Sequence, residues 1–247
     1  MKASIGMGDV GIAVEVHGKT IEEFAGPDGQ TYIWAKVGTE YGIAIWNFTS
    51  SRIEVVITVD GLNILTGKVG DWQTQRGYVI DAHTKPTAIP GFRLDDKTVA
   101  AFRFGGVDKA YATRIGEPAN IGVIGAAFFK EEFPQHPLLH AMSTSRGASK
   151  GLGSFGYESR TLGSPSVGTE FGRRVDHRVS NTTFTRMNLV PDATLALQYR
   201  SEEELRTLGI DVRHKNPPVA VARPNPFPGV QQGCVPPAGW NPHSGTH

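Results

Sequence analysis

Residues 131–167 contain two patterns whose residue types and spacing resemble chemical sites. Residues 151–156, Gly-Leu-Gly-Ser-Phe-Gly, satisfy the G-x-G-x-x-G pattern of a dinucleotide-binding loop. Such a loop holds a pyrophosphate only where a strand precedes it and a helix follows, because the helix N-terminus binds the phosphates. No strand pattern precedes residue 151, and residues 157–165 are poor helix formers, so we predict a glycine-rich loop. The same context argues against Ser154 as the nucleophile of a G-x-S-x-G turn.

The second pattern in this stretch is a histidine pair. His136 and His140 are four residues apart, which would place two imidazoles on one helical face for zinc. Pro137 fits only the first turn of such a helix, and a third ligand would have to be Glu131 or Glu132. Surface histidines are the simpler interpretation.

Four oxygen-bearing residues elsewhere, Asp60, Asn63, Asp95 and Asp96, are potential calcium ligands. None of them lies in the D-x-[DN]-x-[DN]-G pattern of a calcium loop. Aspartate and asparagine also form turns through their own side chains, which explains these positions more simply. The sequence therefore predicts no metal, no cofactor and no catalytic residue.

A local group of basic residues follows the loop, with Arg173, Arg174, Arg178 and Arg186 close to His177. Such a group can meet phosphate or an acidic neighbouring subunit. Alternation along a strand sends Arg173 and Arg174 to opposite faces, which weakens a single basic patch. We therefore interpret these arginines as a solvated sheet face or a subunit contact.

Three tryptophans are candidates for stacking on sugar rings. Trp34 and Trp46 lie in strand patterns and are predicted to pack in the core. Trp72 lies in a polar loop and is the exposed-aromatic candidate. A glycan-binding or other ligand-binding module is therefore the alternative function.

Composition narrows the class of protein. The chain has 247 residues, 25 basic against 24 acidic residues, and a net charge of +1, which argues against a general nucleic-acid or membrane-surface binder. The single cysteine, Cys234, cannot form an intrachain disulfide. Residues 1–9 lack the apolar stretch of a signal peptide, and no run approaches the roughly 20 apolar residues of a membrane span. The expected location is the cytoplasm, or a virion if the gene belongs to a phage.

The elements that would position these residues are mainly β-strands. Apolar, β-branched runs at 52–61 and 120–129 bound a region in which short strands alternate with turns. We predict an antiparallel β-sandwich, with a jelly roll as one topology that fits. Residues 32–37 and 41–48 have the pattern of a hairpin, and strand patterns resume at 169–179. Two more such patterns follow, at 182–187 and 193–200.

Two short helices interrupt the strand pattern. Residues 108–115 begin at an N-cap aspartate and end before Gly116. Residues 202–208 follow a capping box formed by Ser201 and Glu204, and Gly209 ends the helix.

Three segments make up the predicted domain organisation. Residues 1–30 form an N-terminal arm and first strand, residues 31–213 form the sandwich with the glycine-rich loop 131–167, and residues 214–247 form an extended proline-rich arm. The residues of this arm predicted to contact a partner are Pro217, Pro218, Pro224, Pro226, Phe227, Pro228 and Trp240.

The chain also resembles a family of uncharacterised bacterial and phage β-sandwich proteins, over about residues 40–130 and 168–210. The resemblance implies a shared β fold, and no activity or catalytic residues come with it. Members in phage genomes look like virion components. The segments that carry the resemblance are 59–63, 77–79, 91–93, 99–104, 111–112, 120–125, 168–174 and 199–209.

These observations together predict a non-enzymatic structural subunit of a larger assembly, most simply a phage capsid decoration or tail-associated protein. Its predicted partners are other copies of itself or neighbouring structural proteins. The arms, the loop, Trp72, Arg173 and Arg174 are the predicted contacts.

Overall fold

A computed structural model describes residues 5–6, 9–132 and 164–213 of the chain. The chain is mainly β and folds as a two-sheet sandwich with two short α-helices, which confirms the predicted fold class. The strands are β1 (Ile5–Gly6), β2 (Val10–Val16), β3 (Lys19–Thr20), β4 (Glu23–Ala25), β5 (Thr31–Trp34), β6 (Glu40–Asn47), β7 (Ile53–Val59), β8 (Leu62–Asn63), β9 (Tyr78–Ile80), β10 (Thr84–Ile89), β11 (Gly91–Arg93), β12 (Thr98–Gly106), β13 (Val123–Lys130), β14 (Val167–Asp176) and β15 (Ala193–Arg200). The helices are α1 (Tyr111–Arg114) and α2 (Glu202–Thr207), and 3₁₀ turns span Val107–Lys109 and Pro118–Asn120.

The first sheet has the strand order β1-β2-β6-β12-β11, with β3 on β2, β10 on β6 and β14 on β12. The second has the order β4-β5-β15-β13-β7-β8, with β9 on β7. Within the described residues every strand pair is antiparallel except β5 with β15. The first strand predicted from the sequence is β2, which pairs with β6 along six residue positions, so it is an integral strand of the sandwich.

The predicted hairpin between residues 32–37 and 41–48 is wrong. β5 belongs to the second sheet and β6 to the first, so the turn at Gly38 carries the chain from one sheet to the other. Gly38 has a φ of +87°, and its N–H donates to the carbonyl of Phe104. The pattern of two apolar runs around a glycine is the same for a hairpin and for a crossover, and only the pairing partners of each strand separate them.

The core lies between the two sheets and is built from alternate residues of their strands. The first sheet contributes aromatic rings, and Tyr41 stacks on Phe102 and Phe104 with centroids 5.2 and 4.1 Å away. The second sheet contributes mainly aliphatic side chains. Its buried members include Ile33, Ile53, Val55, Ile57, Val59, Leu62, Ile124, Phe128, Leu197 and Tyr199.

The outer face of the second sheet is covered at two places. α2 buries Leu205 against Tyr32, and its predicted capping box is confirmed, because Ser201 and Glu204 each bond the other's backbone N–H. Gly209 follows the helix at a φ of +79°. The helical turns predicted at 108–115 are also present, as the first 3₁₀ turn and α1.

Residues 182–187 cover the second place on the outer face of this sheet. The sequence pattern predicted a strand here, and that prediction is wrong. Residues 182–187 cross the sheet without a ladder and make one isolated bridge, between Glu131 and Arg186. Phe184 and Trp72 pack on a small cluster around Phe129. Side-chain packing, together with backbone hydrogen bonds from the N–H of Glu132 to the Thr185 carbonyl and from the N–H of Met187 to the Lys130 carbonyl, therefore holds this segment in place of the predicted ladder.

Candidate interaction surface

An aromatic groove lies where α1 rests on β14. Ala110 and Ala112 are fully buried beneath the helix, and a side chain at Gly168 would lie 2.5 Å from the Cβ of Ala110. Small residues on both elements therefore let the helix approach the strand closely. This approach places Tyr111 of α1 against Phe171 of β14, with ring centroids 4.3 Å apart.

The groove, defined by Lys109, Tyr111, Arg114, Ile115 and Phe171, encloses about 300 Å³. Phe171 and Ile115 are each 43% exposed, so the apolar floor is open to solvent. The floor is rigid, because the rings of Phe171 and Tyr111 both pack against the buried ring of Phe92, with centroid distances of 5.1 and 5.3 Å.

Two cations stand at the rim of the groove. Lys109 and Arg114 are exposed, and within the described residues neither side chain forms a salt bridge. Exposed aromatic rings beside an arginine are the residue types enriched at the energetic centres of protein–protein interfaces. No local sequence pattern predicts this groove, since α1 and Phe171 are about 60 residues apart along the chain.

The predicted contact residues Arg173 and Arg174 form separate exposed ion pairs. Arg173 bonds Glu40 at 3.1 Å, and Arg174 bonds Asp95 at 2.7 Å. Arg174 and residues 95–98 line a second hollow of about 340 Å³. Hydrogen bonds, chiefly from the Thr98 hydroxyl, hold the pKa of Asp95 at about 2. The Asp95 carboxylate therefore stabilises a turn through its own side chain, as the sequence predicted for this aspartate.

The basic group predicted around residues 173–186 is dispersed in the fold, so it is not one patch. The Nδ1 of His177 accepts a hydrogen bond from the Arg93 guanidinium at 2.7 Å, and burial, followed by the charge of Arg93, lowers the pKa of His177. Arg186 lies on the other sheet, bonded to Glu54 at 2.5 Å with its guanidinium 3.8 Å from the centre of the Phe129 ring.

The three tryptophans differ in exposure. Trp72 is half-buried, with its ring 6.2 Å from Phe129 and its carbonyl accepting from Arg186 at 2.5 Å. Trp46 is buried as predicted, whereas the core position predicted for Trp34 is wrong, because Trp34 is 39% exposed near the end of β5.

A buried polar cluster around Asp60 joins five strands or strand ends. The Asp60 carboxylate accepts hydrogen bonds from the N–H of Gly122 at 2.9 Å, from the N–H of Thr169 at 2.7 Å and from the hydroxyl of Tyr199. The Thr169 hydroxyl bonds both Tyr199 and Tyr41, at 2.8 and 2.7 Å. One side chain from the β7–β8 turn thereby ties β13, β14, β15 and β6 together.

Asp60 can reach the core because of its backbone conformation. Asp60 and Gly61 have φ values of +53° and +78°, which is the pattern of a type I′ turn, and the sequence predicted a turn here. Burial raises the pKa of Asp60 to about 6, against the lowering effect of its three hydrogen bonds and of Arg200. Burial also raises the pKa of Tyr199 and Tyr41 well above the usual range.

A carboxyl group with a perturbed pKa often marks an active site. Asp60 is 1% exposed, and its partners Thr169 and Tyr199 are fully buried. A substrate therefore cannot touch this carboxylate in the described fold. We assign the Asp60 cluster a structural role, and the groove is the candidate functional surface.

Several sequence-based candidates lie outside the described residues, namely the 151–156 pattern, His136, His140 and the contact residues predicted in 214–247. Over the described ranges no group of three histidine, cysteine or acidic side chains is arranged to hold a metal ion. Among the same residues no helix has the length and apolarity needed to cross a membrane.

Comparisons with known proteins identify no relative of this chain. No protein-family model matches it, and neither a search of curated proteins nor a search of solved structures returns a match.

Proposed function

We propose that this protein is a non-enzymatic structural subunit that binds other protein subunits through the groove at α1 and β14. The observation that carries the proposal is an exposed, rigid aromatic floor flanked by two cations that form no salt bridge with any described residue. Phe171 and Tyr111 supply apolar contact area, and Lys109 and Arg114 supply charge. Aromatic and arginine side chains of this kind contribute most of the binding energy at many interfaces.

The finer proposal is that the assembly is a phage virion and the subunit a capsid decoration or tail-associated protein. Its support is the sequence resemblance to phage and bacterial β-sandwich proteins. The proline-rich arm 214–247 supplies a second set of contacts in this proposal, with no membrane and no specific nucleic acid involved.

Replacing Phe171 with aspartate tests the groove directly. Phe171 is 43% exposed and is not a member of the buried core clusters, so the substitution places a charge on the apolar floor, and the Tm of the variant shows whether the fold is retained. We expect self-association, or association with the neighbouring structural protein, to weaken about 30-fold or more, as for the loss of a central interface residue. Light scattering and sedimentation of the full chain measure the effect.

The matched control is Phe48→Asp, because Phe48 is the same residue type at 47% exposure and lies outside the groove. Assembly should survive this change. Equal loss in both variants would show that added negative charge, rather than the groove, causes the effect. A wild-type chain that stays monomeric at every concentration, with and without neighbouring virion proteins, would contradict the proposed function.

Deleting residues 214–247 tests the arm. The described core clusters draw on residues up to Val212, so the truncated chain should unfold with a Tm close to that of the full chain. Assembly should be lost if the arm supplies subunit contacts. Calorimetry and light scattering on the same samples check both parts, and retained assembly would count against the arm.

The alternative, a glycan-binding module, has the exposed Phe171 ring beside Tyr111 as its best-placed surface, because sugar rings stack on open aromatic faces. Titration of the full chain with a glycan array separates the two proposals. Binding that disappears in Phe171→Asp would favour the glycan module.

A further inference from the structure

A protruding apolar loop lies at residues 187–190, which we call the apolar loop. Met187 is 46% exposed, Leu189 is 89% exposed and Val190 is 65% exposed. Three large apolar side chains exposed within four residues form an apolar patch of the kind that marks an interaction site.

The apolar loop is held in place at its base. The N–H of Met187 donates to the carbonyl of Lys130, and the N–H of Asp192 donates to the carbonyl of Phe128. The Asp192 carboxylate in turn accepts from the N–H of Lys130 at 2.9 Å. The apolar tip is therefore presented to solvent by a hydrogen-bonded base.

The apolar loop cannot fill the groove of its own molecule. It is bonded to Phe128 and Lys130, at the end of β13, whereas the groove helix α1 leads through the second 3₁₀ turn into the start of β13. A strand of eight residues separates these two ends by about 25 Å. A contact between the two features therefore requires two molecules.

The apolar tip of the loop and the aromatic floor of the groove are chemically complementary. The groove encloses about 300 Å³ over an aromatic floor, enough for one or two aliphatic side chains, and the apolar loop offers Leu189 and Val190 at its tip. Lys109 and Arg114 stand at the rim of the groove. The acidic side chains of Glu132 and Asp192 are exposed at the base of the loop, next to the cation of Lys130, and the nearby Arg52 is paired with Glu131.

We propose that the apolar loop of one copy inserts into the groove of a second copy of this chain. This inference rests on the proposed function and identifies the binding partner as a second copy of this chain. Because the loop and the groove are different surfaces, the contact is heterologous, and repeating it builds a ring if the rotation closes and a filament if it does not. Each copy then uses its loop on one neighbour and its groove on another.

Two single variants, alone and mixed, test this arrangement in the full-length protein. Leu189→Asp disables the loop and leaves the groove, and Phe171→Asp disables the groove and leaves the loop. Each variant alone should be monomeric at concentrations where the wild type assembles, with association weakened about 30-fold or more. An equimolar mixture should form dimers and nothing larger, because only one intact loop–groove pair is available. Sedimentation velocity and native mass measurements distinguish these species.

Val37→Asp, at an apolar position 58% exposed, controls for the added charge and should assemble like the wild type. Normal assembly of Leu189→Asp would overturn the loop–groove contact while leaving the proposed function standing. A mixture that stays monomeric would overturn the heterologous arrangement. A wild type that is monomeric on its own would overturn the loop–groove contact, and one that also binds no neighbouring structural protein would overturn the proposed function as well.

Discussion

Replacing Asp60 with alanine is expected to destabilise the sandwich by about 4 kcal/mol at pH 4, and by clearly less at pH 7. The substitution leaves the buried N–H groups of Gly122 and Thr169 without an acceptor, at a cost of about 1–3 kcal/mol each. Alanine at a φ of +53° adds a further cost, because it lacks the short polar side chain with which aspartate can hydrogen-bond locally in the left-handed region.

The pH dependence follows from the raised pKa of Asp60. Its folded-state pKa is about 6 against an ordinary value of 3.8, so the folded state binds the proton more tightly than the unfolded state. The stabilisation is fully present below about pH 4 and is lost as the pH rises through 6. A shift of this size corresponds to about 3 kcal/mol. Between pH 4 and pH 7 the wild type therefore loses the stabilisation that comes from protonated Asp60. The alanine variant has no carboxyl group at this position and does not undergo this loss.

Urea unfolding at pH 4, 5, 6 and 7 measures this effect as the difference between wild type and variant. The difference is needed because Asp95, whose pKa is lowered to about 2, gives stability of the opposite sign, present above pH 4 and lost as the pH falls. Asp60→Asn is the matched control, since asparagine tolerates the left-handed turn and does not titrate. Wild-type and Asp60→Asn stabilities that run parallel across this range would contradict the assigned pKa.

Replacing Arg186 with methionine is expected to lower the free energy of unfolding by about 3–5 kcal/mol, the cost of leaving one member of a buried ion pair alone. The Glu54 side chain is 6% exposed and that of Arg186 is 16% exposed. The same guanidinium donates to the carbonyls of Trp72 and Gln75, at 2.5 and 2.8 Å. Its loss therefore also releases the loop that covers Phe129.

Thermal unfolding of Arg186→Met beside Arg173→Met checks this expectation. Arg173 also pairs with a glutamate, Glu40, but its side chain is 71% exposed, and such pairs contribute about 0–1 kcal/mol. The double variant Glu54→Leu with Arg186→Met should recover part of the loss, because it removes both charges together. Similar Tm changes for Arg186→Met and Arg173→Met would show that the Glu54 pair does not anchor residues 182–187.

The sequence was a good guide wherever local chemistry decides the structure. The type I′ turn at Asp60-Gly61 and the capping box of Ser201 and Glu204 are both local, since their hydrogen bonds or φ angles involve residues at most a few positions apart. The β-branched runs of β7 and β13 likewise form strands as predicted, and the two pair with each other across the sheet. The regular spacing of apolar residues was enough for these elements.

The candidate surface, by contrast, could not be predicted from the sequence. Phe171 lies in an alternating strand pattern, which predicts the face of the sheet that the residue occupies but not the residues that it contacts. Tyr111 lies in a helix of four residues. Trp72 had the stronger signal of an exposed aromatic ring, yet the Phe129 cluster half-buries it. An exposed position depends on which distant element comes to rest on it, and no pattern along the chain encodes that.

By itself, then, the sequence determined the element types, the turns and the two-layered β class of this protein, because hydrophobic spacing and turn residues act within a few positions. The tertiary structure alone decided which sheet each strand joins, why Asp60 is buried, and where Arg186 binds. It also decided that the apolar loop and the aromatic groove lie at opposite ends of β13. These features depend on contacts between residues that are 60 to 140 positions apart, whose free energies exist only once both sheets are packed.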